Sequence, residues 1–338
     1  MPDITLNSGA AFHAETGISI LDAASTASRL IPYSCRSGRC STCKCKLFSG
    51  ETTALADETG LTAQEQAEGW ILSCVRTATT DIFIQADTLD DVRLPPVRTL
   101  PCRIQRLERP TPDVLRVRLR LPPDTVLEAL PGQYIEIIGN GGLRRSYSLA
   151  NICKAGKPLE LHVRAVNGGA MSAYWFDQAR ENDLLRLHGP LGTFLLRDAA
   201  QRDLYFLATG TGIAPILALL ESLPTLATTG HPRSVTVLWG GRTPQDLYHD
   251  VANNASSNLT FIPVISGADP NWNGARGHVQ DVLLADSPDL SHAAVYACGS
   301  DAMIHSARAS LLAAGLPGEH FHSDAFVCSA APSTQQGP

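Results

Sequence analysis

Three hydrophobic patterns follow one another along the chain. Between residues 102 and 196 apolar and polar residues often alternate, as they do over residues 115–121. This period of two is typical of half-buried strands and predicts an antiparallel barrel or sandwich, with one helix after Ala170. Beyond Asp203, helical stretches separate short apolar runs, a pattern that predicts an α/β domain with buried parallel strands. The runs lie at residues 205–208, 235–239, 261–265 and 294–297.

A proline-rich stretch separates the first segment from the other two. Pro95, Pro96 and Pro101 interrupt regular structure between residues 92 and 101 and favour an extended linker. Residues 1–90 contain 11 Asp/Glu and 6 Lys/Arg, so the first segment carries most of the net charge of −6. The sequence thus predicts three domains followed by a disordered tail. We place the domains at residues 1–93, 98–198 and 200–328, and the tail at residues 330–338.

The composition is that of a globular protein and excludes several classes of function. A pI of about 5.9 argues against a surface that binds nucleic acid. Residues 1–21 lack the pattern of an export signal and are predicted to form a strand, a turn and a second strand. The most apolar segment, residues 213–220, contains Pro215 and is far shorter than the roughly 20 residues of a spanning helix. We therefore expect no membrane span, a cytoplasmic location, and cysteines that are reduced or bind metal.

Four of the nine cysteines have the spacing of a plant-type [2Fe–2S] site. Cys35, Cys40 and Cys43 form C-x4-C-x2-C, and Cys74 lies 31 positions after Cys43. The loop between them is rich in small residues, which let backbone N–H groups approach the cluster sulfides and stabilise the reduced form. A structural zinc site and unrelated buried thiols are the alternatives, although zinc sites generally use closer ligand pairs.

The other cysteines lack this spacing. Cys45 lies two residues after Cys43 and could replace it if the register were misread, but we assign Cys45 to the strand that leaves the loop. Cys102, Cys153 and Cys328 have no metal-like spacing, so they are interpreted as small buried or surface thiols.

Residues 144–149 contain the pattern R-x-Y-S, which resembles the signature of the ferredoxin–NADP reductase superfamily. The resemblance implies that Arg145 contacts the pyrophosphate of FAD, that Tyr147 packs on the isoalloxazine, and that Ser148 donates a hydrogen bond near N5. A guanidinium group matches phosphate oxygens bidentately, so the first of these roles is chemically reasonable.

Two further motifs follow in the order that the superfamily has. They are His162-Val163-Arg164 and the glycine-containing run Gly169-Ala170-Met171-Ser172. Glycines before a helix let backbone amides reach a diphosphate, where the helix dipole favours negative charge, although a plain glycine turn is the alternative. Residues 189–194 close the predicted flavin domain.

The predicted α/β domain has two motifs at the ends of strands. Gly210, Thr211 and Gly212 lie between a strand and a helix, but the segment lacks the third glycine of the Rossmann fingerprint. It resembles instead the G-T-G-I-A-P loop that faces the nicotinamide dinucleotide in the reductase superfamily. Cys298 begins a C-G-S run that resembles the superfamily's C-G-P motif, which implies a catalytic position near the hydride-donating carbon.

Together the motifs resemble one family over nearly the whole chain: reductases with a ferredoxin domain, a flavin domain and a nicotinamide domain. This resemblance implies an N-terminal β-grasp ferredoxin domain, an antiparallel β-barrel FAD domain and a parallel α/β NAD(P)H-binding domain. It also implies that FAD accepts a hydride and passes single electrons to a cluster with a potential of about −400 mV. The reductase components of mono- and dioxygenases and the CDP-6-deoxy-3,4-glucoseen reductases share this order.

Three segments favour the glucoseen reductases, which serve 3,6-dideoxyhexose synthesis. They are residues 189–194, 239–242 and 323–327, the last of which includes Phe326 as a cofactor-binding residue. The expected electron acceptor is therefore a sugar dehydrase, with an oxygenase component as the alternative. A redox sensor in which one cofactor site has decayed is the non-enzymatic alternative.

Arg242, at the end of the second predicted strand of the α/β domain, bears on the choice of nicotinamide cofactor. It could hold a 2′-phosphate, yet residues 243–246 are predicted to start a helix in which Asp246 balances its charge. One arginine without a second basic residue nearby is a poor phosphate clamp, and the similar reductases mostly prefer NADH. We expect NADH, with NADPH tolerated.

Overall fold

The computed structural model describes residues 1–89, 91–197, 199–224, 230–251 and 258–326. These residues form two compact units. The first comprises Met1–Leu94 with Gly192–Phe194, and the second comprises Pro95–Leu191 and the described residues from Leu195 onward. The predictions for Cys328, for Val327 and for the tail at residues 330–338 lie outside the described residues.

The first unit is a mixed sheet that packs against a helix. A five-stranded sheet has the order β2-β1-β7-β3-β5, in which only β1 and β7 are parallel, and β4 pairs with β6. The predicted strand-turn-strand at the start of the chain is β1 and β2. The elements are β1 (Asp3–Leu6), β2 (Ala11–His13), α1 (Ile20–Thr26), β3 (Lys44–Ser49), β4 (Thr52–Ala54), α2 (Ala63–Ala67), β5 (Trp70–Leu72), β6 (Arg76–Ala78) and β7 (Ile82–Gln85).

Local sequence explains where the two helices of the first unit begin. The Ser19 hydroxyl accepts the backbone N–H of Asp22 and caps α1, and Thr62 and Glu65 form a reciprocal capping box on α2. The buried side of α1 packs with Ile4, Leu72 and Ile84 of the sheet. This is the predicted β-grasp ferredoxin fold.

The second unit begins with the predicted antiparallel barrel. Its six strands have the order β11-β10-β13-β8-β9-β12, and a bridge between Leu149 and Leu161 links the two outer strands. On β9 the period-two pattern places Val117 in the core and Arg118 outside. The predicted helix after Ala170 is a single turn that continues as a π-helical turn. The elements are β8 (Arg98–Thr111), β9 (Val114–Arg120), β10 (Tyr134–Ile138), β11 (Arg144–Ser148), β12 (Leu159–Arg164), α3 (Ala170–Ala173) and β13 (Leu184–Leu191).

The second unit continues with a parallel sheet covered by helices. Its six strands have the order β17-β16-β15-β14-β18-β19, so the first strand, β14, lies in the middle of the sheet. The four predicted apolar runs are β14, β15, β16 and β18, whereas β17 and β19 were not predicted. The elements are β14 (Asp203–Thr209), α4 (Ile213–Ser222), β15 (Ser234–Gly241), β16 (Leu259–Ile265), β17 (Ala275–Arg276), α5 (Val279–Ala285), β18 (Ala293–Ser300), α6 (Asp301–Ala313) and β19 (Phe321–Phe326).

The apolar segment at residues 213–220 lies within α4 and is buried throughout. Among the helices of the described residues, none combines the length and the apolar character that crossing a bilayer requires.

Candidate cofactor sites

The cysteine loop connects α1 to β3 in the first unit. Between Cys35 and Cys43, three residues, Arg36, Gly38 and Ser41, have positive φ angles, which turn the chain tightly between the cysteines. At Gly38 a side chain is excluded, because a Cβ would lie 2.2 Å from the carbonyl oxygen of Asp57. Backbone N–H groups point at sulfur, since those of Cys35 and Ser37 lie 3.4 Å from Cys40 Sγ and Cys35 Sγ, respectively. The fold thus presents backbone donors to the cysteine sulfurs.

The four predicted ligands form two sulfur pairs. The Cys35 thiol is hydrogen-bonded to that of Cys40, and the Cys43 thiol to that of Cys74. These hydrogen bonds lower the pKa of Cys35 to about 5 and lower the pKa of Cys74. They raise the pKa of Cys40 and Cys43, and burial raises both further. In each pair, therefore, one sulfur loses its proton more readily than the other to give the thiolate, the form that binds iron.

The arrangement of this donor set in two sulfur pairs fits a binuclear cluster. Within the described ranges, no three or more His, Cys, Asp or Glu side chains converge on one ion. Two sulfur pairs are what a [2Fe–2S] cluster requires, with two thiolates for each iron. The hydroxyl of Thr42 is buried without a partner in hydrogen-bonding geometry, yet it lies close enough to oppose the rise in the pKa of Cys40. It is a further donor close to the sulfur of Cys40.

The neighbouring cysteine, Cys45, has a different environment. It lies on β3 with its side chain in the hydrophobic core, and burial raises its pKa to about 12. Burial also raises the pKa of Cys102 to about 12 and that of Cys153 to about 11. All three thiols are protonated at neutral pH, so they resemble packing residues more than metal ligands.

The R-x-Y-S residues lie on β11 of the barrel. Arg145 and Tyr147 share one side of the strand and Ser148 is buried on the other. The hydroxyl of Tyr147 accepts a hydrogen bond of 2.9 Å from Trp175 Nε1, with the two rings edge to face. Burial raises the pKa of Tyr147 to about 12, so the phenol is neutral. Trp175 was missed by the sequence analysis, although it follows the predicted Gly169–Ser172 motif by three residues. The flavin-contacting roles of Arg145, Tyr147 and Ser148 stay predictions.

The H-V-R residues on β12 divide between the two faces of the barrel wall. Val163 lies in the barrel core, whereas His162 and Arg164 point outward. His162 has no exposed side-chain surface, and burial lowers its pKa, so its imidazole is neutral. Both ring nitrogens are already engaged, Nε2 with Glu160 Oε1 at 3.2 Å and Nδ1 with the Tyr248 hydroxyl at 3.0 Å. Any contact of His162 with FAD would therefore involve its main chain.

The Gly169–Ser172 motif forms the start of α3. Gly169 precedes the first helical turn, and the Ser172 hydroxyl accepts the N–H of Val166 at 2.9 Å. Met171 is buried and packs on Gly139, while Ala170 is exposed. The role of this segment in holding a diphosphate remains a prediction.

The two nicotinamide motifs meet at the carboxyl edge of the parallel sheet. The strand order reverses between β14 and β18, and ligands of open α/β sheets bind in the crevice at such a reversal. A Cβ on Gly212 would lie 2.2 Å from the carbonyl oxygen of Cys298, and one on Gly299 would lie 2.2 Å from Thr209 Oγ1. Glycine is thus required for the two loops to approach each other. We call this region, formed by residues 209–212 and 298–300, the nicotinamide crevice.

Three residues predicted to contact the nicotinamide lie in or beside the crevice and differ in how far they are buried. Cys298 is completely buried, and burial raises its pKa, so the thiol is neutral. Phe326 ends β19 in register with Ser300 and is half-buried. Thr211 is also buried, in the turn between Gly210 and Gly212. Their proposed contacts with the nicotinamide stay predictions.

Arg242 follows β15 and is exposed. The predicted helix after it is a single turn, Pro244–Asp246, in which Asp246 Oδ2 accepts the N–H groups of Arg242 at 2.8 Å and Thr243 at 3.0 Å. A second arginine, Arg276, lies two strands away in register with Ile265 and was missed by the sequence analysis. Its guanidinium donates to the carbonyl oxygens of Asp269 and Trp272, so it stabilises its own loop.

Comparison with known proteins identifies the three domains. Residues 4–79 match the 2Fe-2S iron-sulfur cluster binding domain, residues 101–195 the oxidoreductase FAD-binding domain, and residues 206–309 the oxidoreductase NAD-binding domain. The chain is thus an oxidoreductase that uses a [2Fe–2S] cluster, FAD and a nicotinamide dinucleotide.

Similar proteins share the whole domain order. The CDP-6-deoxy-L-threo-D-glycero-4-hexulose-3-dehydrase reductase of Yersinia pseudotuberculosis is 40% identical over 95% of this chain and 97% of its own length. Reductase component 1 of terephthalate 1,2-dioxygenase from Comamonas is 33% identical over 96% of each chain. A solved cytochrome P450 reductase from Amycolatopsis has a TM-score of 0.73 and 31% identity, with 96% of this chain and 99% of that chain covered. The chain therefore belongs to the family of iron–sulfur flavoprotein reductases that join a ferredoxin-type [2Fe–2S] domain to FAD- and NAD-binding domains.

Proposed function

We propose that this reductase passes electrons from NADH, through FAD and the [2Fe–2S] cluster, to a dehydrase that forms 3,6-dideoxyhexoses. The observation that supports this acceptor is the difference in identity among relatives of nearly equal coverage. Identity to the hexulose-3-dehydrase reductase is 40%, against 33% to the terephthalate dioxygenase reductase component. Since both groups conserve the cofactor domains, the excess identity favours a dehydrase as the acceptor.

The described residues fit the three cofactors. When bound, FAD couples the two-electron chemistry of a nicotinamide to one-electron transfer through the cluster. Arg145 would hold the FAD diphosphate, and Tyr147, fixed by Trp175, would cover the flavin ring and exclude water. The two sulfur pairs of the cysteine loop would hold one iron each. Residues around the flavin would thus serve the hydride step, and the cysteine loop would serve the one-electron step.

We further propose that NADH is the preferred donor. Asp246 lies beside the backbone of Arg242, and its carboxylate would repel a 2′-phosphate that approached this turn. Arg276 Nη2 donates to two carbonyl oxygens of its own loop, which holds this guanidinium against that loop and not beside Arg242. We also propose a cytoplasmic location and functional domains at residues 1–93, 98–198 and 200–328.

Reconstitution with a purified dehydrase tests the acceptor. We expect NADH oxidation that requires both the dehydrase and CDP-6-deoxy-L-threo-D-glycero-4-hexulose, with formation of the 3-deoxygenated sugar. The Cys43→Ser variant, which lacks one cluster ligand, is the matched control and should not support product formation. Absence of coupled turnover with a dehydrase that is active with its own reductase would refute the proposal.

A reductase component of an oxygenase is the second candidate. It is favoured by the terephthalate dioxygenase relative and by a solved ferredoxin reductase of carbazole 1,9a-dioxygenase, which covers 96% of this chain at 25% identity and a TM-score of 0.69. Coupled oxidation of terephthalate in the presence of a dioxygenase component, with no turnover by the dehydrase, would establish this alternative.

A further inference from the structure

The outer face of β12 is the surface on which the α/β domain packs against the barrel within the second unit. Along β12, Leu159, Leu161 and Val163 face the barrel core, and Glu160, His162 and Arg164 alternate with them on the other side. This outer face meets residues that follow β14 and β15 in the α/β domain. Side chains of β12 are therefore placed to fix the nicotinamide crevice relative to the flavin barrel.

A line of polar contacts begins at Glu160. Burial raises the pKa of Glu160, but the hydrogen bond with His162 and the charge of Arg116 outweigh this effect and keep the carboxyl ionised. An ionised carboxylate only accepts hydrogen bonds, so the neutral His162 donates from Nε2 and accepts at Nδ1. The hydroxyl of Tyr248 is consequently the donor to His162 Nδ1, at 3.0 Å. The phenol ring of Tyr248 is thereby held in one orientation.

Tyr248 in turn packs against Trp239, which reaches the crevice. The two rings meet edge to face, with centroids 5.1 Å apart. Trp239 is fully buried at the end of β15, and its Nε1–H donates to the carbonyl oxygen of Gly210 at 3.0 Å. Gly210 is the first residue of the turn after β14 and has a φ of +55°.

The guanidinium of Arg164 lies close to the same glycine on another side. A Cβ on Gly210 would lie 2.7 Å from Arg164 Nη1. Arg164 is itself fixed by Asp113, with its Nη2 2.8 Å from the carboxylate, and lies 3.6 Å from Asp246. The Gly210 peptide thus lies between an indole donor of the α/β domain and a guanidinium of the barrel.

We propose that Trp239 and Tyr248 are positioning residues for hydride transfer, because they fix the Gly210 peptide that forms one wall of the nicotinamide crevice. Hydride transfer depends steeply on the distance and alignment of donor and acceptor, and an error of about 1 Å can cost roughly 100-fold in rate. The inference rests only on the nicotinamide-to-flavin half of the proposed function, and not on the identity of the electron acceptor.

Single-donor substitutions test the proposal in the full-length holoprotein. Trp239→Phe keeps an aromatic ring in the core and removes the Nε1–H, while Tyr248→Phe removes only the hydroxyl. Trp272→Phe is the matched control, because Trp272 Nε1 also donates to a carbonyl oxygen, that of Ala275 at 2.9 Å, away from Gly210. For each variant we would measure anaerobic flavin reduction by NADH in stopped flow, and the affinity for the unreactive analogue 1,4,5,6-tetrahydro-NADH by calorimetry.

We expect Trp239→Phe to slow flavin reduction by about tenfold and Tyr248→Phe by about threefold, with analogue affinity within about threefold of the wild type. The analogue should also perturb the flavin absorption spectrum less in Trp239→Phe than in the wild type. Trp272→Phe should match the wild type in all three measurements. Cytochrome c reduction by dithionite-reduced protein should be unchanged in every variant, since it bypasses the nicotinamide.

Two results would overturn the proposal. One is wild-type flavin reduction by both variants. The other is a parallel loss of FAD content, analogue affinity and rate, which would indicate a structural role alone. If Trp239→Phe fails to fold, Tyr248→Phe decides the question, because its ring volume is unchanged. A failure of the dehydrase reconstitution would leave these measurements unaffected, so the two proposals fail independently.

Discussion

The cysteine loop of the first unit and the nicotinamide crevice of the second gather their residues from very different lengths of chain. Three cysteines of the loop lie within nine residues, and only Cys74 comes from farther along the sequence. In the crevice, the hydroxyl of Thr209 accepts the N–H of Ser300, 91 positions away. A glycine in each loop allows the two backbones to approach closely. The geometry of the cysteine loop is thus set mainly within one short segment, whereas the geometry of the crevice depends on the order of strands in the sheet.

The largest expected effect concerns the choice between Cys43 and Cys45 in the loop. Cys43→Ser should abolish the visible iron–sulfur absorption, because it removes one sulfur of the Cys43–Cys74 pair. Cys45→Ala should keep the absorption, since Cys45 is a protonated core thiol. Absorption and electron paramagnetic resonance spectra of the two purified variants provide the measurement. The opposite pattern would mean that the loop binds iron in a different register.

In the crevice, Gly212→Ala should separate the two loops. Its Cβ would lie 2.2 Å from the backbone of Cys298, a clash that backbone movement of about 1 Å would have to relieve. We expect NADH oxidation to fall at least about tenfold, with FAD and cluster content retained. Gly318→Ala is the control, because its nearest atom would be 3.9 Å away. Normal turnover by Gly212→Ala would show that the crevice tolerates separation of its walls.

The pH dependence of stability should be concentrated in the second unit. Burial lowers the pKa of His322 on β19 to about 3, with the charge of Arg197 as a further cause. The folded pKa lies below the unfolded value of about 6.5, so the unfolded state takes up the proton first as pH falls. Stability should be full above pH 6.5 and decrease between about pH 6.5 and 3, by roughly 5 kcal/mol at most.

Thermal unfolding followed between pH 7.5 and 4 checks this expectation. The His322→Phe variant keeps a ring against Tyr296 and lacks the titrating group, so its unfolding temperature should fall less with pH. An identical slope for the variant and the wild type would assign the pH dependence to other groups.

The smallest effect is expected at Arg242, which follows β15 at the carboxyl end of the parallel sheet. Arg242→Ala should change kcat/KM for NADPH by less than about threefold, because one exposed arginine beside an aspartate contributes little to binding a phosphate. Steady-state kinetics with both donors measure the ratio. A kcat/KM for NADPH tenfold above that for NADH, lost in Arg242→Ala, would make Arg242 a phosphate ligand and reverse the proposed preference.

Predictions from local pattern held well where the pattern has a direct structural meaning. Alternation on β9 and the four apolar runs of the parallel sheet were recognised because side-chain period follows strand geometry. The helix start predicted at residues 243–246 is present as a short 3-10 turn. Its capping box is present, but the following segment closes only one turn, Pro244–Asp246, because a cap starts a helix and packing decides whether it continues.

The sequence by itself determined the domain order and the three cofactors, because these depend on spacings within short segments, and the same spacings predict the cysteine ligand set. Only the tertiary structure decided the surroundings of His162, whose motif suggested a flavin contact. The fold places both ring nitrogens against protein partners, one of them Tyr248, 86 residues away. It likewise brings Trp239 to the carbonyl of Gly210. Such contacts depend on which strands become neighbours in the sheet and on how the α/β domain packs against β12, and no local spacing encodes either.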